Sequence, residues 1–328
     1  MAKYSLFKAG YANQNSSHSG QMSINRSKKR RIRGIVFLPF KESRPMVIAQ
    51  SLLKKYKKFK TLPHLAIRLS QLISNEHSTV YQLEEVIRLD PTLVLRLMRL
   101  VNSPYYGLHQ KVDNISRAVI FVGMRNLRNM IVIEALKDIF KNPPDEQIFS
   151  RKQLWLHCAA VSICGQMISE RIFGINGEDA FLCGILHDVG MIVEDQVEHD
   201  LFIRACKAYH AESKPFSECE KEIIGTDHCM VGYLLARDWE LPPEVQLGIK
   251  QHHLISENIS SSRLIGIIQL AEYIVGKLGY TALPGMHGIL SPPLIRHIHD
   301  NVEEYKTLAK DLPEELSKAK ELYHPDES

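Results

Sequence analysis

Hydrophobic residues recur along most of the chain at the three- and four-residue intervals of an amphipathic helix. In the segment TVYQLEEVIRLDPTLVLRLMRLVN these positions are Leu83, Val86, Ile87, Leu93, Leu97 and Leu100. Pro91 lies where a second helix would begin, because the first turn of a helix does not need the N–H that proline lacks. Alternating apolar and polar runs bounded by turns, which indicate strands, are almost absent. The pattern predicts an all-α fold of two packed helical lobes.

Turn and cap residues divide this helical pattern into segments. The segment DNIS supplies N-cap candidates for a short helix that ends near Gly123. The run Asn142-Pro143-Pro144-Asp145 favours an internal boundary, and Pro292-Pro293 introduces a charged C-terminal helical region that we expect to be a satellite. The predicted organisation is a disordered basic arm (1–45), an N-terminal helical lobe (46–142), a second helical lobe (143–280) and a C-terminal helical extension (281–328).

The segment MVIAQSLLKKYKKFK, residues 46–60, has a more ambiguous pattern. It places Ile48, Leu52, Tyr56 and Phe59 on one helical face, with lysines largely off that face. A basic amphipathic helix of this kind can lie on a membrane surface. The alternative, which we favour, is a helix packed against its own domain.

Charge is distributed unevenly along the chain. Residues 1–60 contain fifteen Lys and Arg and one acidic residue, whereas the other 268 residues contain 26 basic and 36 acidic residues. The basic arm is poor in apolar residues, which favours disorder; it is either a solvated tail or a segment that contacts an anionic surface. We expect no specific DNA binding by the acidic body, because neutralisation of phosphates drives such binding.

The cysteines and the apolar runs indicate the cellular compartment. The six cysteines form no CxxC pair, and several lie among apolar neighbours, as reduced packing cysteines do. No apolar run approaches the roughly 18 residues of a membrane span, and the N-terminus lacks the apolar region of a signal peptide. We therefore expect a cytoplasmic protein.

Several residues of the second lobe are of the types that bind a divalent metal. They are His157, His187, Asp188, His228, His252, His253 and Glu272. Imidazoles with carboxylates suit Fe, Mn or Zn better than Ca or Mg, so the expected cofactor is one such ion and no other. The segment AFLCGILHDVG is interpreted as a helix that ends at Gly190 and carries the His-Asp pair at its C-terminal end.

Each candidate ligand also has an ordinary structural interpretation. His157, on the face with Leu154 and Val161, resembles a hydrogen-bonded core histidine. His187-Asp188 can be a hydrogen-bonded pair at a helix terminus, and His252-His253 can cap a helix dipole. Seven such residues in one lobe nevertheless favour a metal.

The order of segments in the chain resembles the HDOD domain family. LPHLAIRLSQLI, LEEVIRLDPTLVLRLMRLVNSPYYGL and ISRAVIFVGMRNLRNMIV resemble its N-terminal lobe. WLHCAAVSICGQMI, AFLCGILHDVGMIVED, DHCMVGYLLARDWELPPEVQLGIKQHH and LAEYIVGKLG resemble its C-terminal, HD-phosphohydrolase-like lobe, and together the matches cover about residues 57–280. The resemblance implies a bacterial signal-transduction module that acts by binding protein partners.

Resemblance to the active HD enzymes implies one ligand set, His157, His187, Asp188 and Glu272, and their two-metal relatives add His228 and one of His252 or His253. Two residues depart from the enzymes' pattern. Glu272 stands where they have Asp, and Met191 stands where the two-metal enzymes typically have Lys. The GYP signature of those relatives is also missing after His253.

Candidate partner-binding residues lie in the first lobe. Tyr105 and Tyr106 in the NSPYYG loop are either exposed anchors for a partner or a wedge between the lobes. Arg125 and Arg128 either bind an anionic ligand or pair with acids across the lobe boundary. In the second lobe, Glu222 is either a hydrogen-bond partner of His228 or a surface charge.

The function expected from these features is a non-catalytic or degenerate HDOD regulatory module. It would bind a signalling protein and retain a metal site. The alternative is a metal-dependent phosphohydrolase of the HD class that acts on a nucleotide or cyclic dinucleotide.

Overall fold

The computed structural model describes residues 44–56, 72, 78–89, 91–102, 110–124, 126–130, 140, 148–209 and 214–323. The described residues belong to a compact unit that spans Glu42–Ser328. Within the described ranges every regular element is a helix, as the hydrophobic pattern predicts. The α-helices are α1 Arg44–Lys55, α2 Val80–Ile87, α3 Pro91–Val101, α4 Ile115–Val122, α5 Arg151–Met167, α6 Glu178–Leu186, α7 Val189–Val197, α8 His199–Ala208, α9 Phe216–Ile223, α10 His228–Asp238, α11 Pro243–Gln251, α12 Leu264–Lys277, α13 Pro292–Asp300 and α14 Val302–Tyr323. A π-helix, Ile168–Ile172, directly follows α5.

Two helices of the first lobe, α3 and α4, begin at residues that the sequence indicates, and α2 begins at a capping box. Thr79 caps α2 in a capping box with Gln82, Pro91 opens α3, and the Asn114 side chain accepts a hydrogen bond at the start of α4. α4 ends at Gly123, whose φ of 80° favours glycine. α4 packs against α2 and α3.

The long helix α5 lies at the centre of the second lobe. Most of its residues are buried, and it packs against α6, α12 and α14. α6 approaches α5 closely because Gly184 has no side chain: an added Cβ would lie 2.5 Å from the Cα of Ser162. α10 packs in turn against α7 and α11.

The first helix packs on the second lobe although it lies at the start of the predicted first lobe. α1 contacts α7 and α10, and it buries Leu52, with Tyr56 buried just beyond its end. The described part of the amphipathic segment is therefore packed against the domain, while Phe59 lies outside the described residues.

The C-terminal helix is more than the satellite that its charge suggested. α14 packs directly on α5, and it buries Tyr305, Leu308, Leu312 and Leu316. These residues recur at three- and four-residue intervals, so the charged positions occupy only the outer face.

Two further features concern membrane spans and cysteines. No helix among the described residues is both long and apolar enough to span a membrane. All six cysteines are buried and free of disulfides.

Candidate metal centre

The seven candidate ligands come from the ends and faces of five helices. His157 lies on α5, His187 and Asp188 form the turn between α6 and α7, and His228 is the first residue of α10. His252 and His253 follow α11, and Glu272 lies on α12. The structure brings all seven together into one cluster.

The cluster is enclosed by the protein. His187, Asp188 and His228 have no exposed surface, and His157, His252 and Glu272 are at most 3% exposed. His253 is the most open member, with 21% of its side chain exposed. Burial of this many polar groups is costly unless each has a partner.

Asp188 lies at the middle of the cluster, with a different pair of histidines at each carboxylate oxygen. Its Oδ2 lies 3.2 Å from His187 Nε2 and 3.5 Å from His157 Nε2. Its Oδ1 lies 3.3 Å from His228 Nε2 and 3.5 Å from His252 Nε2. The two carboxylate oxygens thus face two separate pairs of imidazoles that could hold a cation.

Within each pair, the two Nε2 atoms face one another. They are 3.2 Å apart for His157 and His187, and 3.3 Å apart for His228 and His252. The rings of the four histidines meet edge to face or at a tilt, so the nitrogens and not the ring faces converge.

The other ring nitrogen of each histidine holds the ring in this orientation. Nδ1 of His157 lies 2.8 Å from the Tyr280 carbonyl, and Nδ1 of His187 lies 2.7 Å from the Gly184 carbonyl. Nδ1 of His252 lies 2.8 Å from the Ile249 carbonyl. A carbonyl only accepts, so each Nδ1 carries a hydrogen, and in the neutral imidazole the Nε2 lone pair is directed at the centre.

His228 is held by a carboxylate. Its Nδ1 donates to Glu220 Oε2 at 2.6 Å, and its backbone N–H donates to the same oxygen at 3.2 Å. Of the two alternatives for Glu222, the structure shows the surface charge, which pairs with Lys214. Glu220 was missed, although it shares the buried face of α9 with Phe216 and Cys219 at helical spacing, which is the signal that could have found it.

These contacts fit a divalent cation. Within each histidine pair, the lone pairs of the two Nε2 atoms would repel one another unless a cation lay between them. Both Asp188 oxygens are also buried without a hydrogen-bond donor. Burial lowers the pKa of the His157 imidazole to about 4, whereas at His187 the Asp188 carboxylate outweighs burial and raises the pKa, so protons could replace a cation at only part of the cluster. Ligating histidines that donate their second N–H to a carbonyl or carboxylate are typical of metal sites.

Glu272 lies on the His157 side of the cluster. It forms one candidate ligand group with His157 and His187, and its Oε2 is 3.8 Å from His253 Nδ1 and has no hydrogen-bond partner. The longer side chain therefore still reaches the cluster. Burial raises the pKa of the Glu272 carboxyl to about 8, so a bound cation would displace a proton there near neutral pH.

Cys229 is a further neighbour of the centre that the sequence did not single out. Its Sγ lies 3.5 Å from His228 Nε2 and 3.8 Å from His252 Nε2. It belongs to the same candidate ligand group as those two histidines and His253.

Gly190 has a role different from the predicted one. The helix α6 ends at Leu186, before the His-Asp pair, and Gly190 lies inside the first turn of α7. An added Cβ at Gly190 would lie 2.1 Å from the His228 carbonyl oxygen. The glycine therefore permits the close approach that brings Asp188 to His228. Met191, next to it, is fully buried.

A cavity of about 280 Å³ opens beside the centre. Among the seven candidate ligands only His253 lines it, together with Lys214, Phe216, Lys277 and Met286. The ammonium group of Lys277 lies 5.4 Å from the centre of the Tyr273 ring. The cavity thus combines an apolar wall with the ammonium groups of two lysines, Lys214 and Lys277.

Of the predicted partner-binding residues, only Arg128 lies in the described part of the chain. It is 4% exposed and its guanidinium lies 2.5 Å from the carboxylate of Asp179, the second residue of α6. This contact joins the two predicted lobes. Tyr105, Tyr106 and Arg125 fall outside the described residues.

Comparison with known proteins identifies the family. The sequence model of the HDOD domain family matches residues 59–255 of this chain. The chain belongs to the HDOD domain family. The match includes six of the seven candidate ligands and leaves Glu272 and the C-terminal helices beyond its end.

The most similar solved structures include an HDOD domain protein of unknown function from Geobacter sulfurreducens. It is 22% identical, with a TM-score of 0.57, and the match covers 82% of this chain and 98% of that one. A protein from Shewanella amazonensis SB2B that is provisionally named a phosphohydrolase is 26% identical, with a TM-score of 0.58, over 83% of this chain and 95% of that one.

A third structure, from Marinobacter aquaeolei VT8, is provisionally named a signal transduction protein. It is 18% identical, with a TM-score of 0.62, and the match covers 85% of this chain and 66% of that one. An uncharacterized protein of Treponema pallidum is 25% identical over 211 residues, which are 63% of this chain and 40% of the relative. The matched region thus spans well under half of that relative's length.

Proposed function

We propose that this chain is an HDOD regulatory module that holds a divalent metal as part of its structure and transmits a signal by binding a protein partner. The observation that carries the proposal is the enclosed carboxylate of Asp188, whose unpaired oxygens face four imidazole lone pairs. Structural metal sites are closed by protein ligands, whereas catalytic sites keep an open position. The burial of six of the seven candidate ligands supports a closed site.

The metal would stabilise the contacts between helices rather than react with a substrate. The ligands come from α5, α10, α12 and the segments that follow α6 and α11, so an ion held between them cross-links the second lobe. Ions that bind the folded chain and not the unfolded chain raise its stability according to their affinity. The loading state would then control how rigidly the lobe presents its surface to a signalling protein.

The test measures stability and turnover on the same samples. Full-length protein is depleted with a chelator and reloaded with Mn, Fe or Zn, and Asp188→Ala is treated alongside it. We expect reloading to raise the unfolding temperature of the wild type but not of the variant, with no turnover of an aryl phosphodiester. Turnover that requires Asp188, or a wild type that does not respond to metal, would contradict the proposal.

The second candidate function is a metal-dependent phosphohydrolase, and the cavity at His253 favours it. A bound divalent ion supplies an activated nucleophile and stabilises charge on a phosphoryl oxygen. His253 connects the cavity to the ligand cluster, and Lys277 and Lys214 would attract a phosphate group there. Pockets for drug-sized ligands measure roughly 300–1,000 Å³, so a cavity of about 280 Å³ lies at the small end of that range.

A pair of lysine variants tests the second candidate directly. Lys277 lines the cavity beside the Tyr273 ring, and Lys250 lies over the Tyr233 ring but does not line the cavity. If the chain is a hydrolase, Lys277→Ala raises KM for a nucleoside monophosphate and Lys250→Ala does not. Equal kinetics for the two variants would exclude the cavity as the substrate site.

A further inference from the structure

The Asp188 Oδ1 side of the cluster contains four donor atoms of three kinds. They are a carboxylate oxygen, the Nε2 atoms of His228 and His252, and the sulfur of Cys229. All four residues are buried, and Cys229 is 5% exposed. The sulfur lies 3.5 and 3.8 Å from the two imidazole nitrogens, and His253, which belongs to the same candidate ligand group, has its Nδ1 3.8 Å from Glu272 Oε2.

Five of the six separations between these donors are close to the edges of a tetrahedron around one ion. Zinc binds imidazole nitrogen at about 2.0–2.1 Å and thiolate sulfur at about 2.3 Å, so the edges of a tetrahedral site are about 3.3–3.7 Å. The observed edges are 3.3 Å between the imidazoles, 3.3 and 3.5 Å from them to Asp188, and 3.5 and 3.8 Å from them to Cys229.

The start of α10 explains how two adjacent residues reach the same point. Adjacent helical residues diverge by about 100°, so only an ion beyond the end of the helix can contact both side chains. His228 and Cys229 are the first two residues of α10, and the Asp227 side chain caps the helix by accepting from Met230 N at 2.8 Å. The Asp227 cap thus starts the helix at His228, so the side chains of His228 and Cys229 both lie at the helix end beside the cluster.

We propose that Cys229 is a thiolate ligand of the metal on the Asp188 Oδ1 side, together with His228 and His252. This inference rests on the proposed metal site and specifies its chemistry. The thiol proton passes to solvent as the ion binds. A thiolate makes this position select Zn, Co or Fe over Mg and Mn, because soft ligands prefer softer ions.

Cobalt reports directly on a sulfur ligand. Chelator-treated full-length protein is titrated with Co(II), and its spectrum is compared with those of Cys229→Ser and Cys164→Ser. Cys164 is an equally buried thiol of α5 that belongs to none of the candidate ligand groups. We expect a sulfur-to-cobalt charge-transfer band in the wild type and in Cys164→Ser, and its loss in Cys229→Ser with at least a tenfold weaker affinity for zinc (an order-of-magnitude value).

The outcomes separate this inference from the metal site on which it rests. Tight cobalt binding to the wild type without the charge-transfer band would overturn the role of Cys229 and leave the metal site intact. No cobalt binding at all would overturn both. If Cys229→Ser does not fold, X-ray absorption of the zinc-loaded wild type decides: one sulfur at about 2.3 Å supports the proposal, and a shell of nitrogen and oxygen alone contradicts it.

Discussion

The orientation of each imidazole at the centre is set by the atom behind it. Four histidines donate Nδ1–H to three backbone carbonyls and one carboxylate, which leaves four Nε2 lone pairs directed at Asp188. Of these partners only Glu220 is charged, and a carboxylate makes the imidazole it holds a better ligand. The choice of residue at position 220 should therefore affect metal affinity more than an ordinary buried contact does.

Replacing Glu220 with Gln should weaken metal binding by about 10–100-fold, because the imidazole of His228 loses its charged partner. The measurement is a competition titration with a chromophoric chelator. Glu222→Gln is the matched control, since Glu222 lies two residues away and pairs with Lys214 at the surface. Equal affinity of the two variants would contradict this role for Glu220.

A second buried acid, Glu194, lies next to Glu220 and should oppose folding as the pH rises. Burial and then the neighbouring Glu220 raise the pKa of Glu194 well above its ordinary value. The folded state therefore keeps a proton that the unfolded state loses above about pH 4.5, and stability falls by up to about 1.4 kcal/mol per pH unit.

The variant Glu194→Gln removes this titration and keeps the shape of the neutral acid. We expect its unfolding temperature in chelator to approach or exceed that of the wild type, with a difference that grows between pH 5 and pH 8. Thermal unfolding across this pH range is the measurement. A difference that shrinks as the pH rises would show that Glu194 is ionised in the folded protein.

The sequence identified the seven candidate ligands but not the residues that orient them. Imidazoles and carboxylates in a helical protein stand out by type, whereas the Tyr280, Gly184 and Ile249 carbonyls have no side-chain signature. Glu220 and Cys229 were within reach of helical periodicity, because each lies on a buried helix face. Only the contacts between helices show which of these buried groups meet at Asp188.

At the scale of the helices, the centre depends on how closely α7 approaches the start of α10. Gly190 allows that approach, since the space of its missing side chain is occupied by the His228 backbone. The sequence suggested a helix break at this glycine, and the break instead falls at the His-Asp pair. A glycine can terminate a helix or allow a neighbouring helix to pack closely, and the local sequence does not distinguish these two roles.

Gly190→Ala should separate α7 from α10 and destroy the centre. We expect a loss of stability of at least about 3 kcal/mol, because a backbone carbonyl cannot yield as a side chain does. Gly165→Ala is the control: Gly165 is also buried in a helix, but its added Cβ would meet its nearest atoms at 3.6 Å. The check is metal content with thermal unfolding, and a stable, metal-loaded Gly190→Ala protein would contradict the account.

At the scale of the whole molecule, the described elements of the predicted N-terminal and C-terminal lobes are joined by specific contacts. α1 packs on α7 and α10, and Arg128 of the first lobe pairs with Asp179 at the start of α6. The hydrophobic pattern predicted the helices of both lobes, but it could not predict that α1 and α14 pack on the second one. Such contacts depend on tertiary geometry, since one amphipathic face looks much like another.

The contact between Arg128 and Asp179 should contribute to stability. Arg128→Ala leaves a partly buried carboxylate without its charged partner, and we expect a loss of about 1.5–3 kcal/mol in chemical denaturation. Arg171→Ala removes two ion pairs at the surface, with Asp311 and Glu315, and its effect should stay below about 1 kcal/mol because all three side chains are partly exposed to solvent. Equal losses would show that the lobes do not depend on this pair.

The central claim is that the enclosed cluster around Asp188 holds a metal ion. It is tested most directly by elemental mass spectrometry of full-length protein purified without chelator and without a histidine tag, beside Asp188→Ala. We predict near-stoichiometric Fe, Mn or Zn in the wild type and its loss in the variant. A folded wild type that contains no metal, and takes up none after incubation with all three ions, would contradict the account.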